Sequence, residues 1–249
     1  MKYLLIITLL VISLWGGNKG EDYLKKAFDA DIFGRTKEAF KWYEKAANMG
    51  NANAQAELGN MYFEGKGVSQ NYQKALKWYR KAATKGFSDA QYNLGVMYAN
   101  GYGVKQNDHI ALKWYKKAAK HKRYSATAKN NIGSIYYKKR MYKQAFKWYK
   151  QAAKQGYSAA QLILGFMYEN GQGVKQDIKE AAKWYKKAAQ QGLSNAQYNL
   201  GNMYYFGKGV SEDKVKAYEW WKKAAQQGDS GAQNNLDILC SKSPWACKQ

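Results

Sequence analysis

Apolar residues recur along this chain with the period of a helix, and they do so in paired stripes. In residues 51–86 the first stripe is Ala54, Leu58, Met61 and Tyr62, at i, i+4, i+7 and i+8. The second is Ala75, Trp78, Tyr79, Ala82 and Ala83, at i, i+3, i+4, i+7 and i+8. Each stripe puts one apolar face on an otherwise polar helix. Between them Gly65-x-Gly67-Val68 predicts a turn, because glycine takes the positive φ that ends a helix without strain. Gly86, Gly156, Gly192 and Gly228 predict the ends of second helices. One such pair cannot bury both stripes, whereas stacked neighbours can.

The pattern repeats. Trp-Tyr stands at Trp42-Tyr43, Trp78-Tyr79, Trp114-Tyr115, Trp148-Tyr149 and Trp184-Tyr185, and Trp220-Trp221 ends the series. The spacings of 36, 36, 34, 36 and 36 residues define units 18–50, 51–86, 87–122, 123–156, 157–192 and 193–228, with a cap at 229–249. The expected fold is all-α: a superhelical solenoid of about six helix-turn-helix repeats plus a C-terminal capping helix. Gly59, Gly95, Gly133, Gly165 and Gly201 fall mid-helix, where glycine costs roughly 1 kcal/mol relative to alanine. Their recurrence predicts a close approach of helices. Both members of each Trp-Tyr pair are expected in the core, so that Trp114→Ala should cost about 3–5 kcal/mol.

The string A-x-x-x-L-G-x-M-Y, then G-x-G-V, then A-x-x-W-Y-x-K-A-A-x-x-G resembles the Sel-one-like repeat, a relative of the tetratricopeptide repeat, over roughly residues 20–240. The resemblance implies a right-handed α/α superhelix and a role as adaptor or scaffold. Bacterial members of that family are often exported and include host-interaction and envelope-signalling proteins. Some cysteine-rich relatives have been described as penicillin-binding or weakly β-lactamase-like. Two departures stand out. Units 18–50 and 123–156 lack G-x-G-V, the latter carrying Lys138-Lys139-Arg140 in its place, and only Cys240 and Cys247 occur.

Residues 1–17, MKYLLIITLLVISLWGG, have a basic Lys2 and an apolar run from Leu4 to Trp15 that is too short to span a bilayer. They are expected to be a signal peptide, which places the mature chain in the periplasm or outside the cell with no transmembrane span. In an oxidising compartment the seven-residue separation of Cys240 and Cys247 suits a local disulfide that closes the cap.

Catalytic chemistry finds little support. Ser211-Glu212-Asp213-Lys214 matches Ser-x-x-Lys but falls in an inter-helix loop, and no Ser-Asp-Asn or Lys-Thr-Gly accompanies it. His109 and His121 have no further His, Cys or carboxylate at helical spacing, so no metal is expected. No cofactor fingerprint is present. The expectation is a protein that is not an enzyme and needs no cofactor, with a penicillin-interacting hydrolase as a third reading by family analogy alone.

A partner surface is expected where copies of the repeat differ, since shared positions serve the shared fold. Second helices repeat outward lysines such as Lys74, Lys77, Lys81 and Lys85. First helices lose them: one slot holds Asn93, Asn131, Ile163 and Asn199, and the next holds Val96, Ser134, Phe166 and Asn202. These eight residues are the expected groove for a protein or peptide partner, with asparagines gripping its backbone and Ile163 and Phe166 seating an apolar anchor. A competing surface follows from charge. The net charge is +23, and from His109 to Tyr168 there are 14 Lys and Arg and no acid. Lys122, Arg123, Lys138, Lys139 and Arg140 form the expected basic patch for an anionic envelope or host polymer. No nucleic-acid recognition motif accompanies it, and nucleic acid is not expected.

Overall fold

The computed structural model describes residues 19–247, so the expected signal peptide lies outside the described residues. Among the described residues the chain is thirteen α-helices and a final 3-10 turn. They are α1 (Lys19–Ile32), α2 (Thr36–Asn48), α3 (Ala52–Glu64), α4 (Tyr72–Thr84), α5 (Ser88–Asn100) and α6 (Asp108–Ala118), then α7 (Ser125–Lys138), α8 (Tyr142–Lys154), α9 (Ser158–Asn170), α10 (Ile178–Gln190), α11 (Ser194–Phe206), α12 (Lys214–Ala225) and α13 (Ser230–Lys242). They group into two compact units that divide between Tyr124 and Ser125. Within each unit every helix packs on the one before and the one after it, which is the arrangement of a helical-repeat solenoid.

Each pair is fastened at its mid-helix glycine. The second-helix aromatic lies where a side chain would otherwise be: a Cβ on Gly59 would stand 2.6 Å from the Tyr79 ring, one on Gly133 2.9 Å from Tyr149, and one on Gly201 2.5 Å from Trp221. Those aromatics are buried with Leu58, Ile132, Leu164, Leu200 and the paired alanines. The expected close approach is therefore a ring resting on a helix backbone.

The G-x-G-V loop joins the two helices of a pair and rests on the second helix of the pair before. Gly65 ends α3 in the left-handed region at φ 77°. Gly67, at φ 72°, lies so near α2 that a Cβ would meet the Thr36 carbonyl oxygen at 2.5 Å. Gly103 presses on Tyr72, Gly173 on Tyr142 and Gly209 on Ile178 in the same way. Asn71, Asn107, Asp177 and Asp213 then cap the next helix by accepting from the backbone N–H three residues on. Where the glycines are missing the turn is tighter, and Arg140 takes positive φ, 58°, between α7 and α8.

A further link went unnoticed in the sequence. Gln55, Gln91, Gln161 and Gln197 are buried, and each Nε2 donates to a carbonyl near the end of the preceding second helix, Ala47, Ala83, Ala153 and Ala189 respectively. A buried amide here satisfies a helix-end carbonyl that water cannot reach. The fourth repeat carries Lys129 at this position, and the division between the two compact units falls in that repeat.

One expectation is corrected. The tyrosines of the Trp-Tyr pairs are core, but Trp42, Trp78, Trp114, Trp148 and Trp220 are only half-buried, and Trp184 alone of the series is buried among them. The tryptophan sits one residue off the buried stripe. Its outer face is covered instead by the lysine three residues on: Lys45, Lys81, Lys117, Lys187 and Lys223 stand 4.0–4.5 Å from the ring centroids. The outward lysines thus also shield tryptophan rings.

The cap is closed as expected. Cys240 at the end of α13 is bonded to Cys247 in the 3-10 turn, and the Cα atoms are 5.7 Å apart. Among the described residues no helix is long and apolar enough to cross a membrane.

Candidate functional site

The variable first-helix slots follow directly from the Gly–Tyr contact. Once a tyrosine ring lies on the glycine, the residue after the glycine stands beside the tyrosine hydroxyl. Tyr79 donates to Asn60 Oδ1 at 2.7 Å, and Trp221 Nε1 donates to Asn202 Oδ1 at 3.1 Å. Ser134 is hydrogen-bonded to Tyr149. Phe166 cannot accept, and Tyr185 donates to Glu169 Oε2 instead, at 2.7 Å. Burial raises the Tyr149 phenol to about 12 against a lowering by Ser134, and it raises Tyr79 and Tyr185 further. These hydroxyls stay protonated, and those of Tyr79 and Tyr185 serve as donors.

The expected groove residues divide accordingly. In the N-terminal unit Asn93 donates to Asn60 Oδ1 at 3.1 Å and Val96 is half-buried on α5. In the C-terminal unit Asn202 also accepts from Asn235 at 3.0 Å, Asn199 is hydrogen-bonded to Tyr185, and Asn131 accepts a longer contact of 3.4 Å from Asn130. These asparagines have scaffold partners, so they do not stand as a bare row of donors and acceptors.

Ile163, Phe166 and Asn199 are brought together. With Tyr137, Tyr149, Leu162, Asn195 and Tyr198 they line a pocket of about 400 Å³ formed by α7, α8, α9 and α11. Phe166 is 41% exposed at its mouth. Apolar walls with two asparagine amides can hold an apolar side chain and orient the chain that carries it. Sequence reasoning missed Tyr137, Leu162 and Tyr198, because they lie off the two slots and converge only when three repeats are stacked.

The basic residues lie in both units. Lys122 is exposed near the end of the first. Arg123 pairs with Asp89 at 3.2 Å and lies over the Tyr124 ring. In the second unit Lys138, Lys139 and Arg140 are exposed side by side at the α7–α8 turn. The Ser-x-x-Lys string is occupied structurally: Asp213 caps α12 and pairs with Lys216 at 2.6 Å, and Lys214 stands 4.0 Å from Glu212. Among the described residues no group of three or more His, Cys, Asp or Glu could hold a metal ion.

Comparison with known proteins agrees with this geometry. A family model described as the Sel1 repeat matches residues 36–51, 52–87, 88–122, 131–157, 158–193 and 194–229. Among curated proteins none matches. A solved Sel1 repeat protein from Oxalobacter formigenes is 32% identical, over 86% of each chain, with a TM-score of 0.74. A protective antigen present in uropathogenic Escherichia coli strains, displaying an SLR fold, is 35% identical over 83% of this chain, with a TM-score of 0.62. The chain spans about half that antigen's length, 53%.

Proposed function

Because this chain belongs to the Sel1 repeat family, whose members mediate protein–protein interaction, we propose that it is a non-catalytic scaffold that holds a partner protein outside the cytoplasm. The pocket around Ile163 and Phe166 carries the reading. A phenylalanine 41% exposed beside isoleucine, leucine and three tyrosines is a surface that gains by being covered. The partner would place an apolar side chain there, with Asn195 and Asn199 on the pocket wall beside the adjoining backbone. The Cys240–Cys247 disulfide supports the location, since such bonds persist in oxidising compartments. The expected signal at residues 1–17 is part of the same reading.

The test is comparative cross-linking in the native envelope with wild type and with Ile163→Lys combined with Phe166→Lys. Partners recovered with wild type should be lost with the double variant, while its circular dichroism stays unchanged. Retention of every partner would remove the pocket from the binding surface.

The exposed run Lys138, Lys139 and Arg140 favours a second reading, adhesion to an anionic envelope or host polymer.

A further inference from the structure

The N-terminal unit has an exposed apolar face of its own, and a small pocket next to it carries more acidic than basic residues, unlike the chain at large. Phe28, Asp31 and Ile32 fall at i, i+3 and i+4 and so share one side of α1. Phe28 is 43% exposed and Ile32 is 79% exposed. Phe28 meets the edge of Tyr43 at 5.8 Å between centroids. Tyr43 in turn lines a small pocket of about 120 Å³, whose other walls are Asp31, Glu57, Asn60, Met61, Glu64 and Lys66.

Three carboxylates therefore line a pocket that Asp31 and Tyr43 connect to this apolar face, in a chain of 41 basic and 18 acidic residues. The pocket already accommodates an ammonium at its rim, where Lys66 Nζ stands 2.7 Å from Asp31. Glu57 is held by a 3.0 Å bond from Asn60 Nδ2 to Oε2. Burial, followed by the fields of Asp89 and Asp31, raises its carboxyl above the usual range, although Asn60 and Lys66 pull the other way. Glu64 is exposed, and its charge acts on Lys66 together with those of Asp31 and Glu57. A further positive charge would relieve this crowding, and an apolar side chain beside it would cover Phe28 and Ile32.

From this charge complementarity we infer that the face of α1 and α3 seats a basic amphipathic segment of a partner protein, one that presents Lys or Arg to Glu57 and Glu64 and an apolar residue to Phe28 and Ile32. None of the residues around Ile163 and Phe166 belongs to this face, so either assignment can fail alone. A basic segment also approaches against the overall field. A chain at +23 repels basic peptides in general, so retention of one demands a local acidic seat.

The experiment measures fluorescence anisotropy with a labelled amphipathic helical peptide of Arg and Leu, and with its counterpart in which Glu replaces each Arg. Sedimentation of the protein alone is run alongside. The Arg peptide should bind saturably to the full chain. Glu57→Gln with Glu64→Gln should weaken it about tenfold, a loss of about 1.4 kcal/mol, and Ile32→Ser alone should also weaken it. Ile32 is mostly solvent-exposed, so that variant tests the face without threatening the fold. Ile163→Lys with Phe166→Lys should leave the affinity unchanged. Equal binding by the double Glu variant, or stronger binding of the Glu peptide, would overturn the inference. So would a concentration-dependent dimer that Ile32→Ser abolishes, since a second copy would then be the occupant.

Discussion

The ring of Tyr115 occupies the space that a side chain on Gly95 would need: Cδ1 and Cε1 lie 2.5 Å from the position of a Cβ there. Helix propensity alone favours alanine over glycine by about 1 kcal/mol. Packing opposes it, because the buried ring has nowhere to move and overpacking costs typically about 1–3 kcal/mol. Gly95→Ala should therefore lower the urea midpoint. A raised midpoint would mean that the ring relaxes easily.

Trp114 and its neighbour Tyr115 should separate on truncation. Tyr115 is buried, so Tyr115→Ala should cost about 3–5 kcal/mol. Trp114 is half-buried under Lys117, whose ammonium stands 4.4 Å from the ring centroid. Trp114→Ala should cost distinctly less, and Lys117→Ala about 0.5–1 kcal/mol through the lost cation–π contact. Chemical denaturation of the three variants ranks them, and equal losses for Trp114 and Tyr115 would return the tryptophan to the core.

The disulfide should act locally. In a repeat array each element is stabilised by its neighbours, so Cys240→Ser with Cys247→Ser should loosen α13 and the 3-10 turn by about 2–3 kcal/mol. Hydrogen exchange should rise over residues 230–247 and stay unchanged over 88–100. Alkylation of native protein without reductant should add no label.

Alkaline pH should unfold the chain through its phenols. Burial is the leading cause that raises Tyr124 and Tyr149 to about 12 from an ordinary value of 10.0. The protonated form is thus favoured by folding. Stability from these groups is complete below pH 10 and is lost as pH rises from there through about 12. Phenolate absorbance should appear together with loss of helicity in that window. Phenolate formation near pH 10 in a fully helical chain would show that the rings are accessible.

Binding to anionic vesicles should depend on the α7–α8 turn. Basic residues near an anionic surface contribute about 1 kcal/mol each, so replacing Lys138, Lys139 and Arg140 by Gln should weaken low-salt binding roughly a hundredfold. Unchanged binding would reduce these residues to solubilising ones.

The chain by itself determined the repeat, its length, the helix pairs, the turns and the disulfide. Those features rest on local spacing: a stripe of period 3.6, a glycine where φ must be positive, an asparagine or aspartate at a helix start, two cysteines alone in the cap. Only the tertiary structure decided which of two adjacent aromatics is buried, because Trp114 and Tyr115 differ by 100° around one helix and the periodicity tolerates either. It also decided that Asn60 and Asn202 serve internal aromatics, and that Asp31, on the side of its helix that carries Phe28 and Ile32, shares a pocket with Glu57. These relations depend on how far one helix rotates and slides against the next. A ring settling on a glycine sets that rotation, and no stretch of contiguous sequence contains it.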